Sequence, residues 1–389
     1  MLGVARHRGD GMRAGSADGT GRPDVGGAEW AGGALFFDLA RMVAALAEVS
    51  GLRSFALPYP GYAQRALDRM VMHCLSVGET PPRSLPELWE WCRTKSAGDP
   101  LFAVPASLVT PDATLVHPVG LMPTRSCLEL ASHGLGEGVA AQASRQLESL
   151  EARCGAVERY RRCRTFLARH PVVQQRDRFA PGWSNAVWSR VKELYGPLPE
   201  ALLADGVLLR CTVCGLPALT RDRTVPGPST ADADLWCEGE ECSRVDRPEL
   251  IREPDQVLIL GPALRVFLAL PYRTEEAVRD ALDRSGIGHE PLPGPLHARR
   301  LRNTGPGVVD IQVYDRRQPG LLAAHLTVSA PLADRTLVVI PDALAGRNGY
   351  REAFADALPA LLRDRVKLTT PAGLVSDLGR PHPEERDDA

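Results

Sequence analysis

The sequence predicts an α+β protein with three parts: a mostly helical N-terminal region, a four-cysteine unit and a C-terminal α/β domain. Apolar residues recur at helical spacing through most of the first half of the chain. Two close cysteine pairs follow, and three β-rich runs then lie between two helix-like segments, residues 274–284 and 350–363. We expect these divisions: 1–32 without fixed structure, 33–205 helical, 206–250 metal-binding, 255–380 the α/β domain, and 381–389 a tail.

The composition excludes several classes of function. Hydrophobic residues make up 44% of the chain and charged residues 24%, which is ordinary for a globular protein. No apolar run approaches the roughly 18 residues that a membrane span needs, and no apolar signal core follows Arg6 and Arg8. We therefore expect a cytoplasmic protein with no membrane partner. The net charge of -2 means that any nucleic-acid binding requires a local basic patch.

The N-terminal region begins with a segment rich in Gly, Ala, Asp and Arg, which either lacks fixed structure or reflects a misassigned start site. From Ala34 onwards the apolar spacing becomes helical, and residues 62–75 repeat that pattern. Ser84 and Glu87 have the spacing of a capping box, which predicts the start of a further helix.

The longest helical pattern runs over residues 139–169, with Gly155 as a possible break. Its second half is rich in arginine: Arg159, Arg161, Arg162, Arg164 and Arg169. Two interpretations remain open for these residues. They form either a solvated helix face or a surface that contacts phosphates, since clustered arginine is typical of nucleic-acid binding.

The clearest chemical signal is the set of four cysteines in two close pairs: Cys211, Cys214, Cys237 and Cys242. Four thiolates can bind one Zn²⁺ tetrahedrally, with bonds of about 2.3 Å. Gly215 follows the second cysteine and allows the tight turn that such a site requires. We predict a zinc-ribbon-like unit. Because four protein ligands leave no open position on the ion, we expect the zinc to be structural.

The C-terminal domain contains the three β-rich runs, at residues 308–315, 321–328 and 336–342. The first run carries Asp310, and the second carries His325 and Thr327. Thr274 is a plausible N-cap for the helix that precedes them. Three arginines lie just before the first run, in a stretch that either contacts phosphates or is a solvated loop: Arg299, Arg300 and Arg302.

The chain resembles the restriction-endonuclease-like (REase) proteins of the pPIWI-RE defence modules. The resemblance runs from about Ser84 to Leu378 and rests on the order of several features. These features are the helix start at 84–88, the Pro123-Thr124-x2-Cys127 stretch, the two cysteine pairs, the 257–271 segment, the Asp310 run and the 339–342 strand end.

The resemblance implies a C-terminal PD-(D/E)xK nuclease core, in which helix, three strands, helix and strand follow in that order. In that core the first strand supplies an Asp and the second a carboxylate and a Lys two residues apart. The two carboxylates hold a divalent metal that activates water. Asp310 matches the first Asp, and His325 and Thr327 stand at the other two positions. Mg²⁺ or Mn²⁺ is expected only if this site is active. Possible substitutes elsewhere are Lys367, Asp315, Asp342 and Glu275.

Three hypotheses follow for the function. The protein is a component of a Piwi-associated prokaryotic defence system that acts on or binds DNA through a degenerate nuclease site. Alternatively, it is an active metal-dependent DNA endonuclease with an atypical site, built on Asp310 and His325. In the third, it is a zinc-ribbon DNA-binding or regulatory protein without a nuclease role. For the first two, the resemblance implies a Piwi-like protein and a DinG-type helicase as partners.

Overall fold

The computed structural model describes residues 29–48, 55, 57–133, 138–181, 183–227, 234–242, 248–292, 298–302, 308–328 and 333–378. The predictions made for residues 1–28 and for the 381–389 tail lie outside these ranges. Residues 29–32, which we expected to lack fixed structure, form the start of the first helix.

The N-terminal region is helical, as predicted. Its helices are α1 Glu29–Glu48, α2 Gly61–Val77, α3 Leu85–Thr94, α4 Arg125–Ala131, α5 Val139–Cys154, α6 Val157–Arg169 and α7 Asn185–Val191. Helix α1 packs against α2 and α4, and Phe36, Leu39 and Val43 are fully buried on it. The burial of these side chains holds the helices together, since short helices gain most of their stability from packing.

Two local predictions in this region are confirmed. Ser84 caps α3, and its hydroxyl accepts a hydrogen bond from the Glu87 N–H at 3.3 Å. Gly155 ends α5 in the left-handed conformation, with φ +63°, which a residue with a Cβ adopts only at a cost. The 139–169 pattern is therefore two helices joined at that glycine.

The strands form three sheets. In chain order they are β1 Val172–Gln174, β2 Tyr195–Pro197, β3 Leu208–Arg210, β4 Pro217–Thr220, β5 Leu235–Cys237, β6 Glu249–Ile251, β7 Val257–Leu260, β8 His289–Pro291, β9 Ala298–Leu301, β10 Val309–Val313, β11 Arg335–Val339 and β12 Val366–Thr369. The first sheet has the order β1-β7-β2 and the second β5-β4-β3-β6. The first sheet pairs strands from both sides of the four-cysteine unit, so it fixes where that unit leaves and rejoins the rest of the chain.

The C-terminal domain is built on the third sheet, with the order β12-β11-β10-β9-β8. Strands β10, β11 and β12 are parallel, and β9 is antiparallel to both of its neighbours. The helices are α8 Pro262–Leu264, a π-helical turn Arg265–Ala269, α9 Leu270–Arg284, α10 Pro319–Val328, α11 Asp342–Ala345, α12 Tyr350–Ala357, α13 Ala360–Arg363 and α14 Leu374–Leu378. Thr274 lies inside α9 and is buried, so the N-cap prediction for it is wrong.

Helices cover both faces of this sheet. On one face, Val278 and Leu282 of α9 pack with Ile311 and Leu337 in one hydrophobic cluster. On the other face, α10 and α12 pack against the sheet, and Leu322 shares a second cluster with buried residues of β11 and β12. Because successive strand residues point to opposite faces, β11 contributes to both clusters, with Leu337 and Val339 in the first and Val338 in the second.

The predicted strand at 321–328 is wrong, because these residues belong to helix α10. A short apolar run does not distinguish a buried helix from a buried strand. Parallel pairing of β10 with β11 also requires a crossover connection, which α10 supplies. The order helix, three strands, helix, strand is nevertheless present, as α9, β8, β9, β10, α10 and β11. Asp310 therefore lies on the third of the three strands and not on the first.

Candidate functional site

The four cysteines converge on one point, as their spacing predicts. The Sγ atoms of Cys211, Cys214, Cys237 and Cys242 all lie within 4.8 Å of one another, and those of Cys214 and Cys237 are 4.0 Å apart. A tetrahedral site with metal–sulfur bonds of about 2.3 Å has edges of about 3.8 Å. The four thiols therefore fit a single metal ion.

The backbone around the cysteines is shaped to the sulfurs. The Val213 N–H donates to Cys211 Sγ at 3.4 Å. Gly215 has φ +74°, which glycine adopts at no steric cost. A Cβ on Gly239 would lie 3.0 Å from Cys242 Sγ and 3.1 Å from Cys214 Sγ, so a larger residue there would push the thiols apart. Glycine at position 239 therefore leaves room for the sulfurs, and glycine at position 215 adopts its turn without strain.

The chain directly after Cys237 is acidic, and its first acid is held by the C-terminal domain. Glu238 and Arg265 form a buried fork: Nε donates to Oε2 at 2.6 Å and Nη2 to Oε1 at 2.7 Å. Arg265 opens the π-helical turn before α9. Paired bonds of this kind fix orientation as well as distance, so they hold the turn that precedes α9 against the cysteine unit.

The centre of the molecule is a buried junction of all three parts, built around Arg125 of α4. Arg125 is 1% exposed. Its guanidinium donates to the Gly239 carbonyl at 3.0 Å and the Asp315 carbonyl at 2.8 Å, and it pairs with the Asp315 carboxylate. Its backbone N–H donates to Glu240 Oε1 at 2.8 Å. One side chain thus joins the helical region, the cysteine unit and the loop after β10.

A second set of bonds ties the same loop to α4. The Glu129 carboxylate accepts from the N–H groups of Arg317 at 2.8 Å and Gln318 at 3.0 Å. The Gln318 amide donates to Ser126 Oγ at 2.7 Å, and Arg317 pairs with Glu240. Burial raises the pKa of both Glu129 and Glu240. The junction therefore depends on arginine partners to keep its carboxylates charged.

Asp310, the predicted catalytic carboxylate, forms an ion pair on the sheet. It is 6% exposed. Arg300 of the neighbouring strand donates to both of its oxygens, from Nε at 2.9 Å and from Nη2 at 3.1 Å. The β8–β9 and β9–β10 registers align Glu290, Arg300 and Asp310 across three strands. The hydrogen bond and the charge of Asp310 raise the pKa of Arg300. A fixed guanidinium thus lies between two carboxylates.

The structure places His325, the second predicted catalytic residue, on α10 and not on a strand. Its ring packs edge-on against Tyr314, with 5.6 Å between centroids, and Tyr314 Oη donates to Gln312 Oε1 at 2.9 Å. Within the described parts of the chain, the four cysteines form the sole group of three or more potential ligands close enough to share a metal. Neither Asp310 nor His325 belongs to it.

The substitutes considered for the site have other partners. Lys367 is aligned with Leu337, whereas Asp310 is aligned with Thr336. Adjacent strand residues point to opposite faces, so Lys367 lies on the other face of the sheet, where it pairs with Asp377 at 2.8 Å. None of the three carboxylates replaces the missing ligand. Asp315 pairs with Arg125, Glu275 pairs with Arg164, and Asp342 starts α11 at the surface.

The three arginines proposed for DNA contact differ in exposure. The Arg299 side chain is 11% exposed and lies 3.9 Å from Glu275, and its Nη1 is 2.8 Å from His289 Nδ1. The side chains of Arg300 and Arg302 are 43% and 61% exposed. Arg302 pairs with Glu290 at 2.7 Å. Arg300 and Arg302 reach the surface, but each already has an acidic partner.

The arginine-rich helix α6 faces α9 with part of its charge. Arg164 pairs with Glu275 at 2.7 Å, with both side chains 12% exposed, and Arg169 pairs with Glu276. Arg161 and Arg162 remain at the surface near Glu158 of their own helix. Neither interpretation of the arginine cluster anticipates this, since two of its members bind the C-terminal domain.

Comparison with known families matches both ends of the chain. The family described as pPIWI_RE three-gene island domain Y matches residues 35–174. The family described as REase associating with pPIWI_RE matches residues 263–386. The chain belongs to the REase proteins of pPIWI-RE modules. These two domains imply association with other components of that island. No curated protein and no solved structure matches the chain.

The helical region thus contains domain Y and the C-terminal part is the REase domain, with the four-cysteine unit between the two matched ranges. Among the described residues, no helix is long and apolar enough to cross a membrane. Our sequence reasoning missed the charged residues that join the parts: Arg125, Glu238, Glu240, Arg265 and Arg317. The acid-rich stretch 238–241, between the cysteines of the second pair, was the feature of the sequence that could have indicated these contacts.

Proposed function

We propose that this protein is a DNA-binding component of the pPIWI-RE module whose nuclease fold binds DNA without cutting it. The observation that carries the proposal is the fork between Arg300 and Asp310. A PD-(D/E)xK nuclease needs a carboxylate free to coordinate a divalent metal. Here the guanidinium takes the place of that cation and engages both carboxylate oxygens.

The neighbouring residues support the same conclusion. Asp310 and Gln312 are two residues apart on one face of β10, which is the spacing of the carboxylate and the Lys in the motif. Gln312 supplies an amide in place of the charge of that lysine. Its Oε1 accepts a hydrogen bond from Tyr314 Oη at 2.9 Å, and this bond holds the side chain on the sheet.

We further propose that the four-cysteine unit holds zinc. Four thiolates in a tetrahedron suit Zn²⁺, and a site with four protein ligands is closed to substrate. The role of the metal is therefore structural. It fixes the 238–241 stretch, whose carboxylates bind Arg265 and Arg317 of the C-terminal domain and the backbone N–H of Arg125 in the helical region. Partners within this proposal are DNA, the Piwi-like protein and the DinG-type helicase of the module.

The test combines binding and cleavage on the same samples. Labelled duplex DNA is titrated with the protein in Mg²⁺, at roughly 50 and 200 mM salt, and the DNA is then run on a denaturing gel. We expect binding that weakens with salt, and intact DNA. Metal-dependent cutting that is lost in Asp310→Ala would establish the active endonuclease instead. Failure to bind any nucleic acid at either salt concentration would refute DNA binding and leave assembly with protein partners.

A further inference from the structure

The turn that joins β1 to α7 presents an aromatic ring to solvent. Residues Gln175–Phe179 form a 3-10 helix, and Phe179 is 89% exposed. Among the large apolar side chains that the structure describes, it is the most exposed. Isolated exposed apolar residues are common, so the ring alone carries no inference. The inference rests instead on the residues beside the ring and on the contacts that anchor its turn.

Two arginines flank this ring. Arg176 and Arg178 are both exposed. In a 3-10 helix, side chains three positions apart lie on the same side, about 6 Å apart along the axis. Arg176 and Phe179 therefore share one side of the turn. Arg178 lies over the ring of Trp188, with its guanidinium carbon 5.4 Å from the centroid.

The turn is held rigidly in this position. The Asp177 carboxylate accepts from the Gln174 N–H at 2.7 Å, and Gln174 pairs with Val257 in the first sheet. The turn contains two arginines and one aspartate, so its formal charge is positive. Glu249, the acid nearest Arg176 at 3.8 Å, is already bound by Arg210 at 2.9 Å.

Below the turn is a packed aromatic cluster. Trp183 contacts Phe166 and Trp188 at centroid distances of 5.1 and 5.3 Å, and Trp188 contacts Tyr195 at 5.2 Å. Arg178 of the turn packs on Trp188 of this cluster, so the cluster supports the turn. An aromatic side chain such as Phe179 has two side-chain torsions, so it loses little conformational entropy when a partner binds it.

We propose that Arg176, Arg178 and Phe179 form a binding platform for single-stranded nucleic acid. Aromatic side chains that stack on bases, next to arginines that contact phosphates, are how proteins hold single strands without sequence preference. In a duplex the bases are already stacked on each other, so Phe179 has no base face to contact there. The platform deepens the proposed function, on which it rests, because it names single strands as the preferred nucleic acid.

The experiment is fluorescence anisotropy of the full chain with a labelled oligo-dT of about 12 nucleotides, the matching RNA, and a duplex of equal length. Phe179→Ala removes the ring, Phe179→Leu keeps an apolar side chain without a π face, and Arg176→Ala with Arg178→Ala removes the charges. Arg65→Ala with Arg69→Ala is the matched control, because those arginines are also exposed and lie one helical turn apart on α2. Thermal unfolding of each variant checks the fold.

We expect Phe179→Ala and Phe179→Leu to weaken single-strand binding about tenfold, with little change for the duplex. The double arginine variant should also lower the salt dependence of single-strand binding, by about 1.4 units of slope for two lost phosphate contacts. The control should change single-strand binding less than twofold. Comparison of the DNA and RNA strands identifies which sugar is preferred.

Unchanged single-strand binding by Phe179→Ala would overturn the platform while leaving the proposed function intact. Wild-type binding to duplex but not to single strands would also overturn the platform and leave the proposed function intact. If Phe179→Ala binds nucleic acid normally and instead loses a protein of the module, the ring is a protein contact. Absence of all nucleic-acid binding by the wild type refutes the proposed function as well.

Discussion

Substitution of Arg125 should destabilise the whole molecule, because this one side chain joins three parts of the chain. In Arg125→Met, the Asp315 carboxylate loses its guanidinium, and the Gly239 and Asp315 carbonyls lose their donor. The side chains of Arg125 and Asp315 are 1% and 9% exposed, so water does not replace the lost bonds. Removal of one partner of a buried ion pair costs about 3–5 kcal/mol.

That loss is a large fraction of the roughly 5–15 kcal/mol by which a typical domain is stable. The assay is urea unfolding, followed by tryptophan fluorescence and by circular dichroism, since two probes reveal whether the domains separate before they unfold. Arg153→Met is the matched control. Arg153 pairs with Glu193 at the surface, with side chains 40% and 66% exposed, and such pairs contribute at most about 1 kcal/mol. Equal losses in the two variants would refute the assignment of Arg125 as the central contact.

Further predictions concern the metal, a histidine and a lysine. Purified protein should contain about one zinc per chain, and Cys211→Ser with Cys214→Ser should unfold the central region; a folded, zinc-free protein would contradict this. Burial, Arg317 and Arg221 lower the pKa of His117 from 6.5 to about 4. The unfolded state therefore binds the proton more tightly, and the free energy of unfolding should fall as the pH drops from 6.5 towards 4. His117→Asn, which cannot titrate, should reduce that slope, and an unchanged slope would disprove the link. Lys367→Met should leave nucleic-acid binding unchanged and cost less than about 1 kcal/mol in urea unfolding, because the Lys367 side chain is 44% exposed.

Local chemistry was predictable from the sequence where few residues decide it. The cysteine spacing predicted that four thiols converge on one point, and the structure places them close enough to share a metal ion. Gly155 marked a helix end, because a left-handed backbone conformation favours glycine. The helical character of domain Y followed from apolar periodicity, which long segments show most clearly.

The candidate site was not predictable in the same way, because it depends on which strands are neighbours. Residues 321–328 read equally well as a buried strand or a buried helix, and parallel pairing of the flanking strands decides for the helix. Arg300 and Asp310 are ten positions apart, and their ion pair follows from a β9–β10 register that periodicity does not specify. Arg125 and Asp315 are separated by 190 positions, so a local sequence pattern does not predict their contact.

The most direct test of the central claim, that Arg300 replaces the catalytic metal at Asp310, is Mn²⁺ binding measured by electron paramagnetic resonance. The samples are the wild type, Asp310→Ala and Arg300→Ala, each loaded with zinc so that the cysteines are occupied. We predict that the wild type binds no more Mn²⁺ than Asp310→Ala does. A bound Mn²⁺ in the wild type that is lost in Asp310→Ala would contradict the claim and favour the active metal-dependent endonuclease, which the cleavage assay then tests.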